Sequence, residues 1–425
     1  MRALHVFPLF STDRTSGAAH YQLSLTRAIQ DRGVSVEVFT TTTEAFDPSA
    51  AFGLRWPGQR APGVSREAGV VVHRFPVSFS PSPRLGRIFS RAILERWLRE
   101  GTGAGLPPAE LQSRALSRPR IFDLMASLGR GPLSLSLLRA LIRERQRFDV
   151  ILVGYLPFAL VEQVVSVAGW LGKPVAVLPL FHAADPYHHF GSFLRALGRA
   201  DRVLPLSEFA AGFFETCPSS IRTTVVGAGV DTSYLSPGVA SGKRFRDRHG
   251  LGDAPIVLQV GRKEQGKRWD LAVEAIERIT NPEVLLVLVG EDIDGVPISS
   301  PRVRALGPLD DRDLHDAYDA CSVLLHPSEN ESFGMVLLEA WSHGRPVIGR
   351  RSCGAVASII QEGRDGLLCD RAAEMAEAIE DLLRDPHRAR LLGEAGRSRV
   401  REGFTWDAVA SKVEAVYDEL VAGAP

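Results

Sequence analysis

Short apolar runs alternate with amphipathic helical segments along most of this chain. Buried strands are predicted at residues 4–7, 35–40, 150–153, 175–180, 202–205, 225–226, 256–260 and 284–289. Helical spacing of apolar residues predicts helices at residues 18–31 and 269–279. Such alternation is typical of parallel sheets that carry helices on both faces.

The alternating elements fall into two sets. Between them, residues 231–255 are rich in Ser, Gly and Pro, and the apolar pattern thins out. A chain of 425 residues is also longer than a domain with a single hydrophobic core usually is. The sequence therefore predicts two α/β domains. The last predicted helix, at residues 406–420, has one apolar face.

Residues 322–349 read as strand, loop, helix and strand. The apolar strand ends at Pro327, and a helical pattern then runs to a stop at Gly344. Glu331 falls in the loop, and Glu339 lies about one turn into the helix. The N–H groups at such a helix N-terminus suit a phosphate, and carboxylates accept hydrogen bonds from sugar hydroxyls. The alternative is two solvated acids beside an ordinary amphipathic helix.

The pattern around these glutamates, PS-x-x-E-x-F-G-x-x-x-x-E-A-x-x-x-G-x-P-V, is more specific than either residue alone. It resembles the signature of retaining nucleotide-sugar glycosyltransferases of the GT-B fold, glycosyltransferase family 4 (group 1). The resemblance implies two doubly wound Rossmann-like domains that face a cleft. Residues 1–230 would form the acceptor-side domain and residues 231–404 the nucleotide-sugar-binding domain. The helix at 405–425 would cross back to the first domain.

The resemblance also implies roles for individual residues. Glu331 is expected to contact the donor sugar and Glu339 the ribose. Arg262 and Lys267, in the loop after the strand at 256–260, offer two cations to the diphosphate. His182 is expected beside the transferred sugar. The remaining donor-binding residues are expected to be Gly17, Ser332, Phe333, Gly334 and Met335.

The predicted reaction is transfer of a hexose-type sugar from a nucleoside-diphosphate sugar to an acceptor hydroxyl, with retention of configuration and without metal. The leaving phosphate would help to deprotonate the acceptor. Three alternatives stay open: a non-catalytic nucleotide-sugar-binding protein, a GT-B phosphorylase and a glycosidase. A phosphorylase needs a lysine for pyridoxal phosphate, and a glycosidase needs carboxylates that flank the glycosidic bond.

Two acidic or histidine-rich segments raise the question of a metal. Asp292-Ile293-Asp294 spells the Asp-x-Asp that metal-dependent GT-A transferases use. Asp185, His188 and His189 are close in sequence, but their spacing fits no standard zinc pattern. Two carboxylates alone are a weak metal signal, so neither a metal nor another cofactor is expected.

The amino-acid composition limits which binding partners and which cellular compartment are expected. The chain has 50 basic and 50 acidic residues and a pI near 7.2, which gives no electrostatic preference for nucleic acid. Cys217, Cys321, Cys353 and Cys369 are scattered, as expected for reduced thiols. Residues 1–10 read as a first strand rather than a signal peptide. A cytoplasmic enzyme is therefore expected.

Residues 80–148 form a long insertion with thirteen arginines and only five acidic residues. Apolar residues interleaved with Arg predict basic amphipathic helices, one around residues 88–97 and another at 135–142. One hypothesis is peripheral contact with an anionic membrane at its inner face, or with an anionic acceptor. The alternative is that the apolar stripes pack on the first domain. The acceptor itself stays open between a glycan, a lipid-linked molecule and a small molecule.

Overall fold

The computed structural model describes residues 1–12, 17–43, 60–78, 113, 115–117, 131–183, 185, 188–217, 220–235, 238 and 240–423. The chain divides into two compact units. Unit 1 comprises Met1–Gly227 and Val409–Pro425, and unit 2 comprises Ala228–Ala408. Each unit has its own parallel sheet, so each is described separately.

Unit 1 contains a seven-stranded sheet. Its strands are β1 (Arg2–Phe7), β2 (Ser35–Thr41), β3 (Gly63–Glu67), β4 (Val70–Phe75), β5 (Val150–Gly154), β6 (Val175–Leu178) and β7 (Arg202–Val203). Its described helices are α1 (Gly17–Asp31), α2 (Leu135–Arg143), α3 (Ala159–Leu171), α4 (Gly191–Leu197) and α5 (Glu208–Glu215). The strand order is β3-β4-β2-β1-β5-β6-β7, and neighbours are parallel except in the β3–β4 hairpin.

Unit 2 contains a six-stranded parallel sheet. Its strands are β8 (Ile256–Val260), β9 (Leu285–Val289), β10 (Val303–Ala305), β11 (Val323–His326), β12 (Val347–Arg350) and β13 (Gly366–Cys369). Its helices are α6 (Gly242–His249), α7 (Trp269–Arg278), α8 (Asp311–Ala320), α9 (Met335–Ser342), α10 (Gly354–Ile359), α11 (Ala372–Arg384) and α12 (Pro386–Gly403). In the order β10-β9-β8-β11-β12-β13, successive strands are added outward from β8 on one side and outward from β11 on the other. This reversal of strand order between β8 and β11 is where α/β sheets usually bind ligands.

The last helix, α13 (Trp406–Ala422), belongs to unit 1 from Val409 onward. Its apolar face is buried there. The Tyr417 hydroxyl lies 3.0 Å from Nε2 of His5, and Arg32 pairs with Glu414 at 2.6 Å. The predicted α/β class, with two doubly wound sheets and a C-terminal helix that returns to the first domain, is confirmed.

The strand prediction was wrong at residues 225–226, and it missed the strands β3, β4, β10 and β13. Residues 225–226 do not form a strand, because β7 is only two residues long and its ladder ends at a single bridge between Val203 and Thr223. The β3–β4 hairpin was not predicted. Its strand β3 is mostly exposed, so residues 63–67 lack the apolar pattern of a buried strand.

Most of the basic insertion, including the helix predicted around residues 88–97, lies outside the described residues. Helix α2 is described, and Leu137, Ala140 and Leu141 are buried in the core of unit 1. Leu135, which was predicted to face the same apolar stripe, is 53% exposed. For α2, the alternative that the stripe packs on the first domain therefore holds.

The four cysteines are unpaired and buried, as expected for reduced thiols in packed positions. Across the described part of the chain, no helix combines the length and the apolar character needed to cross a membrane.

Two glycines allow α12 to approach α9, the helix that carries Glu339. A Cβ at Gly393 would lie 1.9 Å from the carbonyl oxygen of Gly344, and one at Gly396 would lie 2.0 Å from the Trp341 ring. Trp341 is fully buried and donates a hydrogen bond to the Asp365 carbonyl at 2.8 Å. Close helix packing thus fixes the position of α9.

We expect Gly396→Ala to lower the free energy of unfolding by about 2 kcal/mol or more, because the added methyl group collides with a ring that cannot move. Gly403→Ala is the matched control in the same helix, since nothing lies within 4 Å of its Cβ position. Chemical denaturation of both variants checks this. Equal stability of the two variants would contradict the packing argument.

Candidate active site

Two loops of unit 2 meet at the carboxyl ends of β8 and β11. The loop at residues 261–267 follows β8, and the loop at 327–334 follows β11. The Glu329 N–H donates to the Gly266 carbonyl at 3.0 Å. Because β8 and β11 are parallel neighbours, both loops leave the same edge of the sheet. The fold therefore joins two segments about sixty residues apart in sequence.

Lys267 and Glu331, both predicted site residues, form an ion pair within these loops. The Lys267 Nζ lies 2.5 Å from Glu331 Oε1. The same oxygen lies 3.1 Å from Nε2 of His326, the last residue of β11. The Glu331 side chain is only 9% exposed. Sequence reasoning missed His326; the available signal was a polar residue at the carboxyl end of an otherwise apolar strand.

This contact determines the charge of Glu331. Burial alone would raise the pKa of its carboxyl, but the charge of Lys267 and the contact with His326 outweigh burial and hold the pKa well below its usual range. The lowered pKa stabilises the folded state fully at pH values above about 4.3, the pKa of glutamate in the unfolded chain. This stabilisation is lost as the pH falls through the lower pKa of the folded state. At neutral pH, Glu331 is a hydrogen-bond acceptor and not an acid.

Arg262 lies in the same loop as Lys267 but is differently placed. Its side chain is 52% exposed, and its guanidinium pairs with Glu264 at 2.9 Å. Such an exposed pair contributes little to stability, so it can exchange for a ligand phosphate at small cost. The structure therefore brings Lys267 into contact with Glu331 but leaves Arg262 at the surface.

Helix α9 begins at the end of the loop that carries Glu331. Ser332 and Phe333 precede it, Gly334 is the N-cap residue, and Met335 is the first helical residue. Gly334 has φ of +102°, a backbone conformation that residues with a Cβ rarely adopt. No side chain caps the helix, so backbone N–H groups remain available at this end.

Glu339 is held within unit 2 by a tyrosine. The Tyr318 hydroxyl donates to Glu339 Oε2 at 2.6 Å. Tyr318 is fully buried and stacks on His343, whose Nε2 lies 3.1 Å from Nδ1 of His315. Burial, together with His315, lowers the pKa of His343 to about 4, so this imidazole is neutral at physiological pH. Tyr318 was missed because it looks like one more apolar position of α8.

The candidates of the first domain lie in unit 1. Gly17 is the exposed first residue of α1, and the residue before it lies outside the described residues. His182 follows β6, and its backbone N–H donates to Nδ1 of His188 at 3.2 Å. The His188 ring also packs edge-on against the ring of His182.

The Asp-x-Asp segment is bound by a lysine. The Lys263 Nζ lies 2.8 Å from Asp292 and also contacts Asp294, above the ring of Trp269. The hydrogen bond from Lys263 lowers the pKa of Asp294 to about 2 and outweighs burial, which would raise it. Within the described ranges, no group of three or more His, Cys, Asp or Glu side chains is arranged to hold a metal ion.

The sequence around this site matches a known family. Residues 242–399, which include Arg262, Lys267, Glu331 and Glu339, match the family described as "Glycosyl transferases group 1". Over 99% of this chain and 94% of its own length, a D-inositol 3-phosphate glycosyltransferase from Catenulispora acidiphila is 26% identical. The chain therefore contains a group 1 glycosyltransferase domain. It is accordingly an enzyme of the glycosyltransferase class.

Other relatives support the same assignment for this glycosyltransferase. A sulfoquinovosyl transferase from Arabidopsis thaliana is 28% identical over 66% of this chain and 59% of its own length. Among solved structures, Anabaena HepE in complex with UDP has a TM-score of 0.68 at 18% identity, with 99% of this chain and all of that chain covered. Sucrose-phosphate synthase from Thermosynechococcus elongatus has a TM-score of 0.69 at 20% identity, with the same coverage. These structures confirm the predicted GT-B fold.

Proposed function

We propose that this glycosyltransferase moves a hexose-type sugar from a nucleoside-diphosphate sugar to an acceptor hydroxyl, with retention of configuration and without a metal ion. The observation that carries the proposal is the buried Glu331 carboxylate, which contacts Lys267 beside the uncapped N-terminus of α9. Cation, carboxylate and helix end together match the phosphate and the hydroxyls of a sugar nucleotide.

Each group then has a distinct task. Lys267 and Arg262 neutralise the donor diphosphate, assisted by the N–H groups at residues 333–335. Glu331 accepts hydrogen bonds from the donor sugar, and Glu339 accepts them from the ribose. In this proposal His182 orients the reacting sugar, and Gly17 leaves space for the phosphates. Two cations and a helix N-terminus can stabilise the leaving diphosphate without metal.

The charge of Glu331 weighs against the glycosidase alternative. A glycosidase needs one carboxylic acid whose raised pKa keeps it protonated to donate to the leaving oxygen. The pKa of Glu331 is instead lowered by Lys267 and His326. A front-face substitution, in which the leaving phosphate accepts the proton of the acceptor hydroxyl, requires no such acid.

The relatives suggest which substrates to test first. HepE was crystallised with UDP-glucose, so UDP-glucose is the first donor. Several relatives are named as D-inositol 3-phosphate glycosyltransferases, so a phosphorylated polyol is the first acceptor. A glycan or lipid-linked acceptor, cytoplasmic location and contact of the basic insertion with an anionic membrane remain further proposals.

Transfer should persist in excess EDTA, and proton NMR of the product should show the anomeric configuration of the donor. Added Mg²⁺ or Mn²⁺ should not raise the rate, since Lys263 already neutralises the Asp292 and Asp294 carboxylates. A strict requirement for a divalent ion would disprove metal independence. An inverted product would disprove the proposed mechanism while leaving the glycosyltransferase assignment intact.

We expect Tyr318→Phe to weaken nucleotide binding about tenfold with a smaller effect on kcat. The substitution removes a hydrogen bond to a carboxylate but keeps the buried ring. Tyr417→Phe is the control, because it removes a buried hydroxyl in unit 1. Calorimetric titration with UDP compares the two. If both variants bind UDP with equal affinity, Tyr318 does not contribute to nucleotide binding.

A further inference from the structure

Unit 2 has a second concave site, on the sheet face that α7 and α11 cover. The cavity has a volume of about 360 Å³. It is lined by Arg268, Leu271, Glu274, Arg278, Arg350, Asp370, Arg371, Ala372 and Ala373. No residue proposed above for donor binding is in this set. The volume falls in the range of small-molecule sites.

The lining is rich in guanidinium groups, most of which have local partners. Arg268 pairs with Asp270 at 3.0 Å, Arg278 with Glu274 at 2.7 Å, and Arg371 with Glu374 at 2.6 Å. Each of these pairs lies within one helix or its first turn. The pairs orient the arginines around the cavity and partly balance their charge.

Arg350 differs from the other three arginines. It is the last residue of β12 and shares a sheet face with Ile348, which lies in the core between α7 and α11. The Arg350 side chain is 14% exposed. Its Nε and Nη1 atoms are buried and have no hydrogen-bond partner among the described residues.

The nearest carboxylate does not satisfy this guanidinium. Asp370 Oδ1 lies 3.9 Å from the Arg350 Nε, beyond hydrogen-bond distance. The same oxygen already accepts the N–H of Ser352 at 2.8 Å. Buried guanidinium N–H groups without acceptors are costly, whereas an anion in the cavity would supply acceptors.

We propose that this cavity is a phosphate-monoester site, separate from the donor site, with Arg350 as its central ligand. A planar guanidinium suits the oxygens of a phosphate, and the N-terminus of α11 at Ala372 adds positive potential. A hexose phosphate matches the cavity volume better than inorganic phosphate does. The proposal does not depend on the function proposed above.

Phosphate titrations that follow thermal unfolding test the site in a chloride buffer. Inorganic phosphate and glucose 6-phosphate should each raise the melting temperature saturably, because a ligand that binds only the folded state stabilises it. Tighter binding of the sugar phosphate would identify a metabolite as the ligand. Equal affinity of both would identify the phosphate group alone as the recognised chemistry.

Four variants locate the binding. In Arg350→Gln, affinity should fall about tenfold or more, since hydrogen bonds to a charged group are lost. Arg351→Gln is the matched control, because this neighbouring arginine is 51% exposed and pairs with Glu362 outside the cavity. Lys267→Met should keep the response. Ala373→Glu, at an exposed lining position, should abolish it by placing a carboxylate in the cavity and serves if Arg350→Gln does not fold.

Three results would overturn the proposal. One is a wild-type response that does not saturate at millimolar concentrations, which indicates an adventitious ion only. Another is an unchanged affinity in the Arg350→Gln or Ala373→Glu variant. The third is loss of the response in Lys267→Met, which would place the phosphate at the donor site. UDP binding by Arg350→Gln, measured alongside, reports separately on the proposed function.

Discussion

Glu331→Gln should reduce sugar transfer by at least about a hundredfold, the effect expected when a transition-state contact is lost. Gln keeps the size of the side chain but removes the charge that faces Lys267 and His326. The amide would also present a donor where the sugar hydroxyl needs an acceptor. Initial rates with UDP-glucose and the accepted acceptor measure the loss.

The control for this variant is Glu329→Gln. Glu329 lies two residues earlier in the same loop, its side chain is exposed, and its loop contact is through the backbone N–H. It should retain the wild-type rate. Full activity of a folded Glu331→Gln enzyme would show that Glu331 is not an active-site residue. Circular dichroism establishes that both variants are folded at the assay temperature.

The fold could largely be predicted because its signals are local. Apolar runs such as residues 256–260 and 284–289 are strands that are buried on both faces, and their pattern is strong. The exposed strand β3 gave no such signal, and it was missed. Residues 225–226 are apolar, but whether a strand forms there depends on the length of its neighbour β7, which no local pattern reveals.

The sequence suggests candidate residues for the site but not the contacts between them. Glu331, Glu339, Arg262 and Lys267 follow from motif and loop position. The pairing of Lys267 with Glu331 joins residues 64 apart in sequence, and the bond from Tyr318 to Glu339 joins two helices. These contacts depend on tertiary packing. The Asp-x-Asp segment shows the same limit, since only the structure reveals Lys263 between its carboxylates.

Lys267→Met should also reduce transfer by about a hundredfold or more, because the leaving diphosphate loses a cation that is fixed in place. The apolar stem of Met replaces that of lysine, so packing is kept while the charge is removed. Lys243→Met is the control, since Lys243 is an exposed lysine of unit 2 on α6. Wild-type transfer by Lys267→Met would exclude a role for this cation in the leaving-group step.

The double variant tests whether Lys267 and Glu331 act as one unit. Because their charged atoms lie 2.5 Å apart, each single change also disturbs the partner. The combined loss should therefore be clearly smaller than the product of the two single losses, as double-mutant cycles show for residues in contact. Rates of the wild type, both single variants and the double variant complete the cycle. Losses that multiply would mean that the two residues act independently and that the ion pair has no part in transfer.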